Sequence, residues 1–110
     1  MTINYEVIFY QNEDGNSPLL SWLSSLRDGR ASVFIDRRIR RLMSGNFGDC
    51  KSLNHGLYEL RIDYGPGYRI YYCREGTRLI LLLCGGDKRT QAADIERTRD
   101  YKKDYERRMQ

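Results

Sequence analysis

The sequence predicts one α+β domain over residues 1–110, in which a largely antiparallel sheet packs against helices. Apolar residues recur every three or four positions in three segments, as on a helix face, and every second position in others, as along a strand. The predicted order is strand, helix, helix, strand, strand, strand, helix. With 40% apolar and 31% charged residues, a chain of 110 residues can bury a core without disulfide support.

The first half of the chain predicts one strand and two helices. Residues 4–10 are rich in β-forming side chains and predict the first strand. Ser17 followed by Pro18 is typical of a helix start, because serine caps free amides and proline fits the first turn. This helix should end near residues 28–29. A second helix is predicted from about residue 30 to residue 43, with one apolar face made of Ala31, Ile35, Ile39 and Leu42.

The second half predicts three strands and a final helix. Residues 57–64 and 68–74 alternate between apolar and polar side chains, with glycine-rich turns after each. Residues 78–84 are apolar on both faces, which is typical of a covered central strand. A helix should then run over residues 90–108, with an apolar stripe made of Ala92, Ile95, Thr98, Tyr101 and Tyr105.

Strict alternation predicts one polar sheet face, opposite the face that the helices cover. A three-residue turn in the first hairpin would place Arg69 opposite Asp63 and Arg61 opposite Tyr71. The residues expected to share this open face are Glu59, Arg61, Asp63, Arg69, Tyr71 and Cys73.

The second hairpin is expected to bring further basic residues to the open face. With Arg74 opposite Arg78, Leu83 lies beside Arg69, and the loop that follows the last strand lies just beyond. Lys88 and Arg89 in that loop should then converge on Arg69.

Arginine dominates the basic residues, with 15 Arg and 4 Lys in a chain of net charge +4. A guanidinium binds phosphates bidentately and stacks on aromatic rings, so a phosphate-bearing or acidic partner is expected. The arginine run at residues 37–41 is interpreted as a solvated helix face, with nucleic-acid contact as the alternative.

The open face would suit an RNA strand, because its cations neutralise phosphates and Tyr71 could stack on a base. Cleavage is also chemically possible there. When a ribose 2′-hydroxyl attacks the adjacent phosphorus, fixed cations stabilise the charge that builds on the phosphoryl oxygens. His55 is the only histidine, and it is a candidate for substrate contact or for anchoring its loop. The alternative is an ordinary solvated hairpin with an Arg69–Asp63 ion pair.

Cysteine usage and hydropathy favour a cytoplasmic protein. Cys50, Cys73 and Cys84 are odd in number and fit neither a CxxC nor a zinc spacing, so free thiols in a reducing compartment are expected. The longest apolar run is residues 79–84, shorter than the roughly 18 residues of a membrane span. The first residues are acidic where a signal peptide would be basic. We expect no metal, no cofactor and no membrane association.

Three segments carry a family resemblance: residues 56–61 (GLYELR), 67–72 (GYRIYY) and 83–91 (LCGGDKRTQ). They resemble the RelE/ParE toxin superfamily and, more closely, the HigB-like, phage-derived addiction module killer proteins. The resemblance covers nearly the whole chain and is motif-specific from about residue 56 to residue 105.

The resemblance implies a RelE-like fold and the toxin of a type II toxin–antitoxin module. Such a toxin is a metal-independent endoribonuclease that cleaves mRNA, commonly on the ribosome, and a cognate helix-turn-helix antitoxin neutralises it in a hetero-oligomer. Arg61 and Arg69 match the sheet arginines that hold the scissile phosphate, and Lys88 matches the basic residue after the last strand. Arg89 and Gln91 are further RNA-binding candidates, beside Tyr71 and His55.

This chain departs from many relatives at residues 89–92, where Arg-Thr-Gln-Ala replaces a second lysine and a Thr-Pro pair. Two alternatives to the endoribonuclease stay open. One is a ParE-like inhibitor of DNA gyrase with the same fold, and the other is a degenerate module that only binds RNA or an antitoxin.

Overall fold

The computed structural model describes residues 4–110 and confirms the α+β fold. The sheet has the order β1-β5-β4-β3-β2, in which β1 runs parallel to β5 and the other pairs are antiparallel. Its strands are β1 (Glu6–Phe9), β2 (Cys50–Ser52), β3 (Leu57–Ile62), β4 (Tyr68–Glu75) and β5 (Leu79–Asp87). The helices are α1 (Pro18–Ser25), α2 (Gly29–Met43) and α3 (Gln91–Arg108), the last preceded by a 3₁₀ turn over Lys88–Thr90. The sequence did not predict β2, since three residues are too few to show a period.

Side chains cap the start of each of the first two helices, and the cap of α1 is the predicted one. The Ser17 hydroxyl accepts a hydrogen bond from the Leu20 amide at 3.2 Å, and Pro18 occupies the first turn of α1. Helix α1 ends at Ser25, earlier than the predicted residues 28–29. The reason is that Asp28 belongs to the next helix, where its carboxylate accepts from the Arg30 amide at 2.9 Å and caps α2.

Helices pack on both faces of the sheet, so the expectation of one open face is only partly right. Helices α1 and α2 cover one face, with a core that includes Leu19, Ile35, Leu42, Leu60, Ile70 and Leu82. Helix α3 covers part of the other face, over Leu57, Tyr71, Cys73, Leu81 and Leu83. The predicted stripe of α3 holds for Ile95, Thr98, Tyr101 and Tyr105, and it is corrected at its start, where Ala92 is exposed and Asp94 is buried instead.

The first hairpin has a different register from the predicted one. Arg61 lies opposite Arg69 and Glu59 lies opposite Tyr71, so the predicted Arg69–Asp63 and Arg61–Tyr71 pairs are wrong. The turn contains five residues rather than three, and two of its glycines adopt positive φ. Because this register differs from the prediction by two residues, the side chains within β3 and β4 keep their predicted faces, whereas Asp63 lies in the turn and borders a cleft beside α2, not the predicted open face.

The second hairpin differs as well. Arg74 lies opposite Ile80, and Arg69 lies opposite Gly86 rather than beside Leu83. A β-bulge between Tyr71 and Tyr72 shifts the pairing by one further residue. A bulge of this kind leaves no periodic signal in a sequence.

Gly86 makes room for the start of α3, and we expect Gly86→Ala to destabilise the protein by about 1–3 kcal/mol. A Cβ at Gly86 would lie 1.8 Å from Asp94 Oδ2 and 2.9 Å from Thr90 Oγ1. Asp94 is buried and held by hydrogen bonds, so it cannot move aside cheaply. Urea unfolding measures the loss, and Gly29→Ala, at a position with neither an atom within 4 Å nor a positive φ, is the control without crowding. Equal stability of Gly86→Ala and wild type would contradict this packing.

A hydrogen bond ties the end of α3 to the end of β1. The Tyr10 hydroxyl donates to Asp104 Oδ2 at 2.5 Å, and Arg107 and Arg108 pair with the same carboxylate. The Tyr10 hydrogen bond is the main cause that lowers the pKa of Asp104, and the two arginines lower it further.

A lowered pKa in the folded state adds stability above the ordinary carboxyl pKa, and this stability is lost as the pH falls through the lowered value. We therefore expect Asp104→Asn to unfold more easily than wild type at pH 7, with the difference closing in acid. Urea unfolding at pH 7 and pH 3 tests this. A difference of equal size at both pH values would show that the carboxylate charge is not responsible.

The cysteines are free thiols, as expected. Cys73 and Cys84 are buried, and burial raises the pKa of the Cys73 thiol to about 12. Within residues 4–110, no helix is both long and apolar enough to cross a membrane.

Candidate functional site

A buried carboxylate lies at the centre of the site. Glu59 of β3 is fully buried and faces α3. Its Oε1 accepts a hydrogen bond from Arg61 Nε at 3.1 Å and lies 3.6 Å from Arg69 Nε, within ion-pair range. Its Oε2 accepts from Gln91 Nε2 at 2.7 Å. A buried carboxylate is very costly unless it is paired, so these four residues hold one another in place. We call them the Glu59 cluster.

The two arginines point their Nε atoms at Glu59. In the part of the chain that the structure describes, no hydrogen bond engages the terminal nitrogens of Arg61, and 36% of this side chain is exposed. Arg69 is more enclosed, at 14% exposure, and its Nη1 donates to the Tyr68 carbonyl at 3.3 Å. The outer, planar edge of Arg61 is therefore available to an anion, with Arg69 directly behind it on the neighbouring strand.

Lys88 supplies a third cation beside the cluster. A Cβ placed on Gly67 would lie 3.4 Å from Arg69 Nη1 and 3.7 Å from Lys88 Cβ, so both side chains approach the same turn. Arg89 does not join them. Its exposed guanidinium pairs with Asp87 at 3.2 Å, beside the 3₁₀ turn that leads into α3. The predicted convergence on Arg69 thus holds for Lys88 and not for Arg89.

Tyr71 is not available as a stacking surface. Its side chain is fully buried under α3, and among residues 4–110 its hydroxyl makes no well-aligned hydrogen bond. Burial raises the pKa of this hydroxyl, and the neighbouring Glu59 carboxylate raises it further. The predicted contact between Tyr71 and an RNA base does not fit this position.

His55 lies in the loop that precedes β3, at the end of the strand that is farther from Arg61. It is exposed, has a positive φ of 55°, and lines a separate groove with the basic residues Arg99, Lys102 and Lys103. Four strand steps separate Leu57 from Arg61, which corresponds to about 13 Å. His55 therefore does not take part in the geometry around the arginines.

The segment that joins β5 to α3 is held by buried hydrogen bonds that were not predicted from the sequence. Asp94 is buried and accepts a hydrogen bond from Thr90 Oγ1 at 2.5 Å, and Arg97 pairs with it. Asp87 caps the 3₁₀ turn by accepting from the Arg89 amide at 2.8 Å. Together these contacts fix the segment that carries Lys88 and Gln91.

Sequence reasoning also placed Glu59 on the right face without giving it a role. The available signal was a carboxylate two positions from an arginine on a strand, since such residues share a face. The signal does not say which carboxylate becomes buried, because that depends on where α3 packs.

The arrangement is suited to stabilising negative charge. Two guanidiniums lie against one buried carboxylate, and Lys88 lies at the turn next to Arg69, which leaves a net positive site that is open on the Arg61 side. Charge-assisted hydrogen bonds from fixed arginines bind phosphate oxygens strongly. Glu59 is buried and both of its oxygens are engaged, so it positions the arginines rather than contacting a ligand.

Comparison with known proteins gives the family. The family model described as Phage derived protein Gp49-like (DUF891) matches residues 21–106, a span that contains the whole Glu59 cluster and Lys88. An uncharacterized protein of Haemophilus influenzae (strain ATCC 51907 / DSM 11121 / KW20 / Rd) is 54% identical over 79 residues, which cover 72% of this chain and 80% of that protein. The chain therefore belongs to the phage-derived Gp49-like family, a toxin-like family related to addiction module killers.

Proposed function

We propose that this protein is the toxin of a type II toxin–antitoxin module and that it inhibits translation as an endoribonuclease that cleaves mRNA on the ribosome without a metal ion. One observation carries the proposal. Arg61 and Arg69 lie opposite each other on β3 and β4, and buried Glu59 holds Arg61 by a hydrogen bond and pairs with Arg69 at 3.6 Å. Glu59 neutralises only one of these two positive charges, so the pair keeps a net positive charge that suits an anion, here the scissile phosphate.

The proposed reaction is an internal transesterification. The ribose 2′-oxygen forms a bond to the adjacent phosphorus, and the bond from phosphorus to the 5′-oxygen of the next nucleotide breaks. The 2′-hydroxyl gives up a proton to solvent, and the leaving 5′-oxygen takes one up. The products are a 2′,3′-cyclic phosphate and a 5′-hydroxyl end. No atom of the protein enters a covalent bond.

The basic residues have separate tasks in this reaction. The available edge of Arg61 binds the two non-bridging oxygens, and Arg69 stabilises the extra negative charge on them in the transition state. Lys88 lies at the same turn as Arg69, and its ammonium provides a proton for the leaving oxygen. Gln91 maintains the position of Glu59.

The proposal includes partners. A cognate helix-turn-helix antitoxin binds the toxin in a hetero-oligomer, and both work in the cytoplasm on mRNA and ribosomes. Acidic or amphipathic segments are the natural complement of a basic surface. Arg89 and His55, both exposed, are proposed as outlying RNA contacts rather than as members of the reacting group.

Pulse labelling of protein, RNA and DNA synthesis after induction tests the proposal. We expect protein synthesis to fall first with the wild type and to continue with Arg69→Ala. Early loss of DNA synthesis would instead indicate a gyrase inhibitor. Normal growth on strong expression without antitoxin would indicate a module that binds without catalysis.

A further inference from the structure

A basic cleft lies between α2 and the turn that follows β3, on the sheet face opposite the Glu59 cluster. It has a volume of about 270 Å³ and is lined mainly by Phe34, Arg37, Arg38, Arg41, Asp63 and Tyr64. We call it the α2 cleft. None of these residues has a task in the proposed reaction.

The α2 cleft has more positive charge than the fold uses. Of the three arginines, Arg38 is occupied by main-chain carbonyls, including that of Asp49 at 3.2 Å. No ion pair involves Arg37 or Arg41 in the structure of residues 4–110, and both are exposed. Asp63 is the only acidic residue among those lining the cleft. The two free guanidiniums therefore favour an anionic ligand.

Aromatic rings lie among these arginines. The Phe34 and Tyr64 rings have centroids 4.8 Å apart and are tilted by 47°. The Tyr64 hydroxyl donates to Asp28 at 2.8 Å, which fixes the orientation of that ring. The Phe34 side chain stays 37% exposed, unusual for a large apolar group. A rigid, exposed ring between guanidiniums is suited to stacking an unpaired base while the arginines hold its phosphates.

One residue connects the α2 cleft with the Glu59 cluster. Arg38 Nη1 donates to the main-chain oxygen of Arg61 at 2.6 Å, so Arg61 borders the cleft with its backbone. The side chain of Arg61 lies on the other side of the sheet, paired with Glu59. The Arg61 amide donates to the Asp49 carbonyl at 2.9 Å, and beyond Arg61 no strand among residues 4–110 pairs with this edge of β3, so a chain could pass around the end of the strand from one site to the other.

We propose that the α2 cleft binds the single-stranded RNA next to the cleavage point, with Arg37 and Arg41 on its phosphates and Phe34 against a base. This inference rests on the proposed function, since it takes RNA as the substrate. It adds to that function a second contact region for the same strand, on the other face of the sheet.

Binding of a fluorescent, unstructured 2′-O-methyl RNA 12-mer tests the inference. This probe has no 2′-hydroxyl and cannot be cleaved, so its binding does not depend on catalysis. The cleft variant is Arg37→Glu with Arg41→Glu. The matched control is Arg27→Glu with Arg78→Glu, which makes the same change of net charge at two exposed arginines elsewhere. Anisotropy is measured for both and for wild type between 50 and 200 mM salt.

The cleft variant should lose about tenfold or more in affinity, and its salt dependence should fall by about 1.4 in the slope of log K against log salt, for two lost phosphate contacts. The control should keep the wild-type slope. Phe34→Ala should lose affinity by about tenfold with an unchanged slope, because stacking involves no counterion release.

Equal losses in the cleft variant and the control would overturn the inference, as would a wild-type protein that does not bind the 12-mer at 50 mM salt. Intact RNA binding with loss of antitoxin binding in the cleft variant would also overturn it and make the cleft a protein interface. Cleavage of mRNA on translating ribosomes is scored separately. Binding through the cleft without cleavage would keep this inference and contradict the proposed function.

Discussion

We expect Arg69→Ala to lower the rate of RNA cleavage by about 10²–10³-fold and to remove growth arrest on induction. This is the size of effect expected when one preorganised donor to a developing oxyanion is removed. Arg69 is the more enclosed arginine of the pair, so water cannot readily take its place. Arg61→Ala should have a similar effect, because Arg61 offers the exposed edge to the same phosphate.

Controls must separate chemistry from folding in this experiment, since Arg69 also neutralises buried Glu59. The far-UV spectrum and the unfolding midpoint of each variant are compared with wild type. Arg78→Ala, at an exposed arginine in the turn between β4 and β5, is the matched substitution and should keep full activity. Persistent growth arrest with a correctly folded Arg69→Ala protein would be strong grounds to abandon the nuclease.

Glu59→Gln is expected to have the second large effect, on stability and on activity together. The substitution preserves shape but removes the buried negative charge between Arg61 and Arg69. Leaving a buried charge unpaired costs about 3–5 kcal/mol, and the partial exposure of Arg61 reduces this to about 2–3 kcal/mol here. Once the negative charge of their shared partner is removed, the two arginines repel each other. The rate of RNA cleavage should therefore fall together with stability.

Urea unfolding and a cleavage assay on the same samples measure both effects. Glu96→Gln is the matched control on the exposed side of α3 and should stay within about 0.5 kcal/mol of wild type. Because Glu59 and Arg69 act through one cluster, the double variant should lose less stability than the sum of the single variants. Strict additivity would show that the two side chains do not depend on each other.

Local features of the fold could be predicted well from the sequence. The two capped helices follow from Ser17, Pro18 and the spacing of apolar residues, which are local causes. The sheet face on which each strand side chain lies was also predicted correctly, since alternation does not change when the register moves by two residues. The register itself was wrong, because it depends on a five-residue turn and a bulge, neither of which leaves a periodic pattern.

The candidate site was predicted in part, for a related reason. Arg61, Arg69 and Lys88 were brought together by strand alternation and by the position of the last loop. The burial of Tyr71 and of Glu59 could not be foreseen, since it results from the packing of α3 over the face expected to be open. Packing between distant segments is the part of the structure that local pattern does not determine.

Mapping the 5′ ends of cellular mRNA after induction tests the central claim most directly. With wild type, we predict new 5′-hydroxyl ends inside translated codons within minutes, and none with Arg69→Ala at equal protein level. Growth arrest by wild type with intact mRNA, or the same new ends with folded Arg69→Ala, would contradict RNA cleavage at the Glu59 cluster.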